Sequence, residues 1–342
     1  MTLSSGRTRR GAGRLRLVPM TVAAVTVAMG CTAACAQQAD TLRELLRDAV
    51  NDSGFADSVQ GLTGFAALPG VSTANFTVDE SANGASDTEM SKFVIPLAHD
   101  FEGARVAGGA LHTELTLSYL KADQTLDDLL SGTALQADID SEFRVFSAIG
   151  GVGLAFHPVR HTTLRPIALL GYSRIEQKSR FSGSGAGQLE DAVDGILFNF
   201  QTDDLLYGGA VELSHQQALG QDIEFTGNIR YNQLFTDTFA ASDDVLKTHD
   251  NLGVLTGYVQ LDGPTGVTAL GRDLRWIWFV ANSSFPGDSS DALGFDYFFE
   301  FGGGIELVDR AVLDGIEGFS IRGSALAGNG VKGWSVGAKL DF

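Results

Sequence analysis

Residues 295–307 read FDYFFEFGGGIEL. Phe295, Tyr297, Phe299, Phe301, Gly303, Ile305 and Leu307 fall on one side of a two-residue period. Asp296, Phe298, Glu300, Gly302, Gly304 and Glu306 fall on the other. Strict alternation of this kind marks a β-strand with two unlike faces. The run is too long for a typical strand of about five or six residues, and it matches the roughly 9–11 residues of a tilted strand crossing a bilayer. The aromatics gather on the apolar face, which would overfill a soluble sandwich but suits contact with lipid.

The same rhythm extends in both directions. LHTELTLSY sets Leu111, Thr113, Leu115, Leu117 and Tyr119 against His112, Glu114, Thr116 and Ser118. In IEFTGNIRYN, Ile223 to Tyr231 alternate with Glu224 to Asn232, and FSIRGSAL follows suit from Phe319. The closing GWSVGAKLDF places Trp334, Val336, Ala338, Leu340 and Phe342 on one face, with Ser335, Gly337, Lys339 and Asp341 on the other. Twelve such segments are predicted: 71–80, 91–101, 109–122, 142–157, 163–178, 203–217, 222–235, 247–262, 272–283, 293–308, 316–327 and 331–342. Segments 142–157 and 163–178 are apolar on both faces. Connections after strands one, three, five, seven and nine are long and most of those after even-numbered strands are short, the parity of a transmembrane barrel, while Gly328-Asn329-Gly330 breaks the trend as a tight hairpin turn. After the first 36 residues no apolar stretch reaches the 18 or more residues of a spanning helix. Only a closed barrel then satisfies the backbone in lipid. The fold class is all-β, a transmembrane antiparallel barrel of about 12 strands.

The N-terminus reads as an export signal. Arg7, Arg9, Arg10, Arg14 and Arg16 precede an apolar run that ends on Ala34-Cys35-Ala36. Both cysteines lie inside it, so the exported chain has no disulfide or thiolate chemistry. Removing residues 1–36 takes five of the 24 basic residues and none of the 42 acidic ones, leaving 19 against 42 and a net charge near −23. That field disfavours nucleic acid, or a bare anionic lipid surface, as a partner. Residues 40–51, DTLRELLRDAVN, predict one helix, with Thr41 and Glu44 as a capping box and Leu42, Leu45, Leu46 and Ala49 on one face. The division expected is a signal peptide over 1–36, a helix and linker over 37–70, and a barrel over 71–342.

VDGILFNFQ (193–201), LGFDYFFEFGGGIEL (293–307) and GFSIRGSALAGNGVKGWSVGAKLDF (318–342) resemble the solitary autotransporter-type outer-membrane β-barrel family of Gram-negative bacteria. That resemblance implies a translocator-like barrel without a passenger domain, residing in the outer membrane, with the N-terminal helix inside the pore. It also implies contact with outer-membrane lipid and lipopolysaccharide. The β-barrel assembly machinery would recognise Trp334, Val336, Leu340 and Phe342.

Alternation assigns Glu114, Glu212, Glu224, Arg230, Arg275, Asp296, Glu300, Glu306, Arg322, Lys339 and Asp341 to the lumen, where opposite charges pair or hydrate. If the helix threads the pore, Arg43 and Arg47 meet this acidic excess and plug it. The functional expectation is therefore a structural, or narrow and plugged, barrel; a porin-like diffusion channel for small solutes is the alternative. Enzyme signals are weak. The six histidines are scattered, His157 and His161 bracket Pro158 in a turn, and H-E-x-x-H does not occur; the single G-x-S-x-G, Gly333 to Gly337, lies within the alternating strand 331–342 rather than on a strand-to-helix turn. A lipid hydrolase built on His112 with a neighbouring Ser and Glu is the remaining catalytic option. No cofactor or metal site is expected: the acidic outer loops, with Asp123, Asp138, Asp140, Asp243 and Asp244, lack a D-x-D-x-D-G calcium loop.

Overall fold

The computed structural model describes residues 37–53, 55–67, 74–78, 88–129, 137–184, 186–220, 222–269, 271–286, 295–308 and 318–341. Residues 1–36, expected as an export signal, and Phe342 lie outside them, as do the side chains of Lys339, Leu340 and Asp341.

The alternating segments become twelve antiparallel strands that close on themselves. They are β1 (Ala74–Val78), β2 (Thr88–Val106), β3 (Gly109–Leu129), β4 (Ala137–Val159), β5 (Thr162–Ser182) and β6 (Gln201–Ala218). Then follow β7 (Glu224–Ala241), β8 (His249–Ala269), β9 (Arg272–Ser284), β10 (Tyr297–Val308), β11 (Gly318–Gly328) and β12 (Val331–Asp341). Each strand pairs with its sequence neighbours, and β1 closes the ring against β12 from Ala74↔Ser335 to Val78↔Val331. Strands β1, β3, β5, β7 and β9 feed the longer connections at one mouth, the loop end, where β11 instead turns tightly into β12 through Asn329-Gly330. Tight turns lie at the other, the turn end; Ala107-Gly108, with φ of 51° and 88°, is one of them.

Two faces follow from the pleat. Leu115, Tyr119, Phe146, Leu170, Ile229, Trp278, Phe301, Ile321, Trp334 and Val336 point outward and are exposed. Their alternate neighbours point inward and are buried or half-buried. Inward positions differ along the barrel axis. Near the loop end many are apolar, as with Ile139, Phe143, Val145, Ile149, Ile175 and Leu252, with Lys92, Asp204 and Thr238 among the buried polar exceptions. Near the turn end they are polar.

The cause is a helix. Residues 55–67, expected as a linker, form a second helix, α2 (Phe55–Ala67), after α1 (Gln37–Ser53). Helix α2 packs inside the loop-end half of the barrel against β3, β4, β5, β7 and β8. Every residue from Val59 to Ala67 is buried. A helix enclosed on all sides needs no polar face, so FADSVQGLTGFAA shows no clean 3.6 period. Its Phe65 centres an aromatic cluster with Phe76, Phe285 and Phe295, the rings 5.4–6.0 Å apart. Phe295, expected on the outer face, is drawn inward by this cluster and is 2 % exposed. Helix α1 starts at Gln37, so Thr41 lies within it rather than at its cap.

VDGILFNFQ lies mostly in the long connection before β6, as the strand boundaries predict. Residues 186–193 form helix α3 (Ala186–Val193), and 194–200 fold as turns before β6 begins at Gln201. Ile196, Leu197, Phe198 and Phe200 are buried there and join the loop-end core.

Candidate functional site

Below α2, toward the turn end, the strands bring ionisable side chains from five strands into one lumen layer. Arg230 on β7 donates from Nη1 and Nη2 to the two oxygens of Glu114 on β3, at 2.8 and 2.6 Å. Its Nη1 also lies 3.4 Å from Glu212 on β6. Arg165 on β5 donates to Glu212 at 2.9 Å and to Asp100 on β2 at 2.6 Å. His112 on β3 completes the circuit, with Nδ1 2.6 Å from Asp100 and Nε2 3.4 Å from Glu114. The result is a ring of alternating acid and base: Asp100, His112, Glu114, Arg230, Glu212, Arg165 and back to Asp100. These residues line a cavity of about 450 Å³ together with Asn228, Thr256 and Tyr258.

The ring is a wall-to-wall tie. Glu114 and Arg230 are 116 residues apart in sequence and nearly enclosed, with 6 % and 8 % of their side chains exposed. A bidentate guanidinium–carboxylate contact is short and directional. It is also demanding, because either partner alone would be a buried, unmatched charge. Both ring nitrogens of His112 face carboxylates, and the nearby Ser214 hydroxyl accepts from Arg165 at 2.9 Å. The geometry therefore places neither imidazole nitrogen against a hydroxyl. Each carboxylate in the ring is engaged by an arginine, and no metal-holding cluster occurs among the described residues.

The remaining lumen assignments divide. Arg275 points inward and holds Asp262 at 2.6 Å near the turn end, with Glu306 opposite it in register. Glu300, 3 % exposed, accepts from the hydroxyls of Ser324 and Ser335. Arg322 donates to the Tyr258 hydroxyl at 2.7 Å. Glu224 opens β7 on the turn-end rim and is exposed rather than enclosed. Asp296 is a correction: it precedes β10 at the loop end, is exposed, and accepts from Asn329 at 3.4 Å. The chain turns there to bury Phe295, which ends the alternation one residue early. Lys339 and Asp341 stand opposite Ser320 and Gly318 in register.

Arg43 and Arg47 do not enter the lumen. Helix α1 crosses the loop end, packed on α2, on α3 and on the 3₁₀ turn Asp244–Leu246. Arg43 donates to the backbone carbonyls of Asp191 and Asp194 at 3.2 and 2.9 Å. Arg47 makes an ion pair with Asp243 at 2.8 Å. Burial alone would raise the Asp243 carboxyl, but Arg47 and the Val245 N–H outweigh it and hold the group below its ordinary value. The lumen is filled by α2 instead. Gln60 donates to Asp204 and Thr238 at 2.7 Å each. Lys92, 1 % exposed, donates to the Phe65 carbonyl at 2.7 Å.

Asp100, Arg165, Lys92, Asp204 and Asp262 were not assigned from the sequence, yet a signal for them exists. Asp204 shares its parity with Glu212, Lys92 with Asp100, and Asp262 with the inward Tyr258.

Comparison with known proteins follows this geometry. The transport unit of the autotransporter AIDA-I from Escherichia coli superposes with a TM-score of 0.51 at 11 % identity, covering 85 % of this chain and 99 % of that one. The β domain of the Bordetella autotransporter BrkA gives 0.42 at 15 % identity, covering 79 % of this chain and 96 % of that one. The NalP translocator domain from Neisseria meningitidis gives 0.41 at 13 %, covering 79 % and 86 %. At such identities the AIDA-I likeness speaks for the fold alone. No curated protein matches in sequence. The family model described as the solitary outer membrane autotransporter beta-barrel domain matches residues 70–337. The chain belongs to that family, and its barrel is one of the outer membrane of Gram-negative bacteria.

Proposed function

We propose that this autotransporter-type barrel works as a closed or narrow, plugged structure without a passenger, rather than as an open diffusion channel. The observation that carries the reading is α2, with Val59 to Ala67 buried inside the loop-end half of the lumen. The Asp100–Arg230 ring below it adds support by crossing the turn-end half. The word solitary in the family description supports the passenger-free part. Residues 1–36 act as the export signal in this reading and are removed, so the exported chain begins at Gln37.

Planar-bilayer recording tests it. The full-length protein should show little stable conductance, and deletion of residues 37–67 should open a steady ion-permeable state. A large steady conductance from the full-length protein would favour the second reading, a small-solute channel, for which the 450 Å³ lumen cavity is the supporting feature. A lipid hydrolase built on His112 is disfavoured by carboxylates at both of its ring nitrogens. Phospholipid hydrolysis lost on His112→Ala would reinstate it.

A further inference from the structure

The outer wall carries an uneven distribution of basic charge. The chain is strongly acidic, with a formal net charge of −18. Yet Lys121 on β3, Arg144 on β4 and Arg174, Lys178 and Arg180 on β5 all fall on the outward parity of three adjacent strands, toward the loop end. Elsewhere on the loop-end half of the wall, β6–β12 offer Lys332 alone among the described residues. Strands β3, β4 and β5 are 21, 23 and 21 residues long, about twice what the hydrocarbon layer needs, so their loop-end portions stand clear of it.

Register fixes the height of the patch. Tyr119 faces Phe146 across the β3–β4 pair, and one step toward the loop end Lys121 faces Arg144. Arg174 pairs with Phe146 on the next strand. Lys121 and Arg144 therefore sit directly above an exposed aromatic shelf and Arg174 sits beside it at the height of Phe146, where aromatic rings meet lipid headgroups. Lys121 opposite Arg144 is a like-charge pair, which costs stability unless an anion lies between them. Glu142 serves both, 2.9 Å from Lys121 and in direct contact with Arg144, while Asp123 takes Lys121 at 2.8 Å. Arg174 is less well matched: its ion pairs with Glu176 and Asp203 are 3.7 and 3.6 Å long, beyond hydrogen-bond length. Lys121, Arg144 and Arg174 keep 37 %, 44 % and 42 % of their side chains exposed.

We propose that Lys121, Arg144 and Arg174 form a headgroup site for a phosphorylated glycolipid of the outer leaflet, whose acyl chains lie along Tyr119 and Phe146. The site rests on the membrane placement that the family gives. Guanidinium forks match phosphate oxygens in pairs, and an ammonium adds a point charge. A diphosphorylated disaccharide lipid presents such anions at the level of this patch, with its chains pointing down the apolar wall.

The test uses the full-length protein in phosphatidylcholine nanodiscs containing bisphosphorylated lipid A, followed by detergent extraction and mass-spectrometric counting of lipid A per barrel. The native protein should retain lipid A. The variant K121Q/R144Q/R174Q should retain at least about tenfold less, the loss that a single charge-assisted contact gives, and K332Q should match the native protein. Fully dephosphorylated lipid A with the same acyl chains should be retained weakly by all three. Equal retention of the two lipids by the native protein overturns the site without reliance on any variant. Equal retention by native and triple variant, both shown folded by heat-modifiable mobility, also overturns it. Stripping of lipid A from the native protein by EDTA would assign the contact to a divalent cation on Asp123 and Glu142 and so reject the cationic site.

Discussion

Glu114 on β3 and Arg230 on β7 meet across the lumen with both guanidinium Nη atoms on both carboxylate oxygens, at 2.6 and 2.8 Å. Removing one partner leaves the other as a buried, unmatched charge, which costs about 3–5 kcal/mol. Glu114→Ala should therefore lower the urea midpoint of the refolded barrel strongly, and Arg230→Ala should do the same. Glu114→Leu with Arg230→Met should recover most of the loss, because an apolar pair of similar volume leaves no stranded charge. Equal destabilisation by the single and double variants would show that the pair is not the unit.

The ring also shows what a linear reading can and cannot reach. The inward direction of Glu114, Glu212 and Arg230 follows from a two-residue period, because the turn-end lumen is polar while lipid lies outside. Which charge meets which does not follow, since the partners are set by how the barrel closes. The segments that looked apolar on both faces, 142–157 and 163–178, belong to β4 and β5, two of the strands that face α2. Inward Val145, Ile149 and Ile175 are apolar because a helix, not water, lies against them. The same enclosure removed the polar stripe from α2 itself. A plug therefore erases the alternation of its wall and its own amphipathic period together. The outer half of the lumen was hidden by packing, whereas the inner half could be read.

Helix α1 is fastened at the loop end by Arg47 and Asp243, 2.8 Å apart. The Asp243 carboxyl is held below its ordinary value, so the contact contributes fully above the unfolded carboxylate value of about 4. The contribution is lost as pH falls through the lower folded value. Arg47 keeps 41 % of its side chain exposed, so the effect stays below about 1 kcal/mol. Hydrogen exchange of α1 should be slow at neutral pH and should accelerate, after correction for intrinsic rates, below about pH 4. Asp243→Asn should exchange faster at neutral pH and lose that dependence. An unchanged profile in the variant would remove Asp243 from the fastening.

Trp334 and Val336 are 56 % and 54 % exposed on the outward face of β12, and Leu340 pairs with Phe319 in register. Phe342 follows them in the same two-residue phase of the sequence, and we propose it as a residue read by the barrel-assembly machinery. Phe342→Ser should reduce the heat-modifiable fraction in the outer membrane several-fold. The purified variant should still refold in detergent, because recognition and stability are separate demands. Loss of refolding as well as of assembly would make Phe342 a simple packing residue.

Gly64 packs tightly against the wall at Leu252. A Cβ placed there would lie 1.9 Å from Leu252 Cδ2 on β8, far inside contact distance. Two effects oppose each other in Gly64→Ala. Alanine favours the helix by about 1 kcal/mol, but a close-packed interior resists the added methyl by about 1–3 kcal/mol. Leu252 is 3 % exposed and has little room to turn away, so the clash should win and the variant should be less stable. Trimming the wall reverses the balance. Gly64→Ala combined with Leu252→Ala should be more stable than Leu252→Ala alone, since the new methyl enters the space just vacated. Urea unfolding of the four proteins gives the coupling directly. Additive losses would mean that Gly64 does not rest on Leu252, and the plug would then have to sit elsewhere in the lumen.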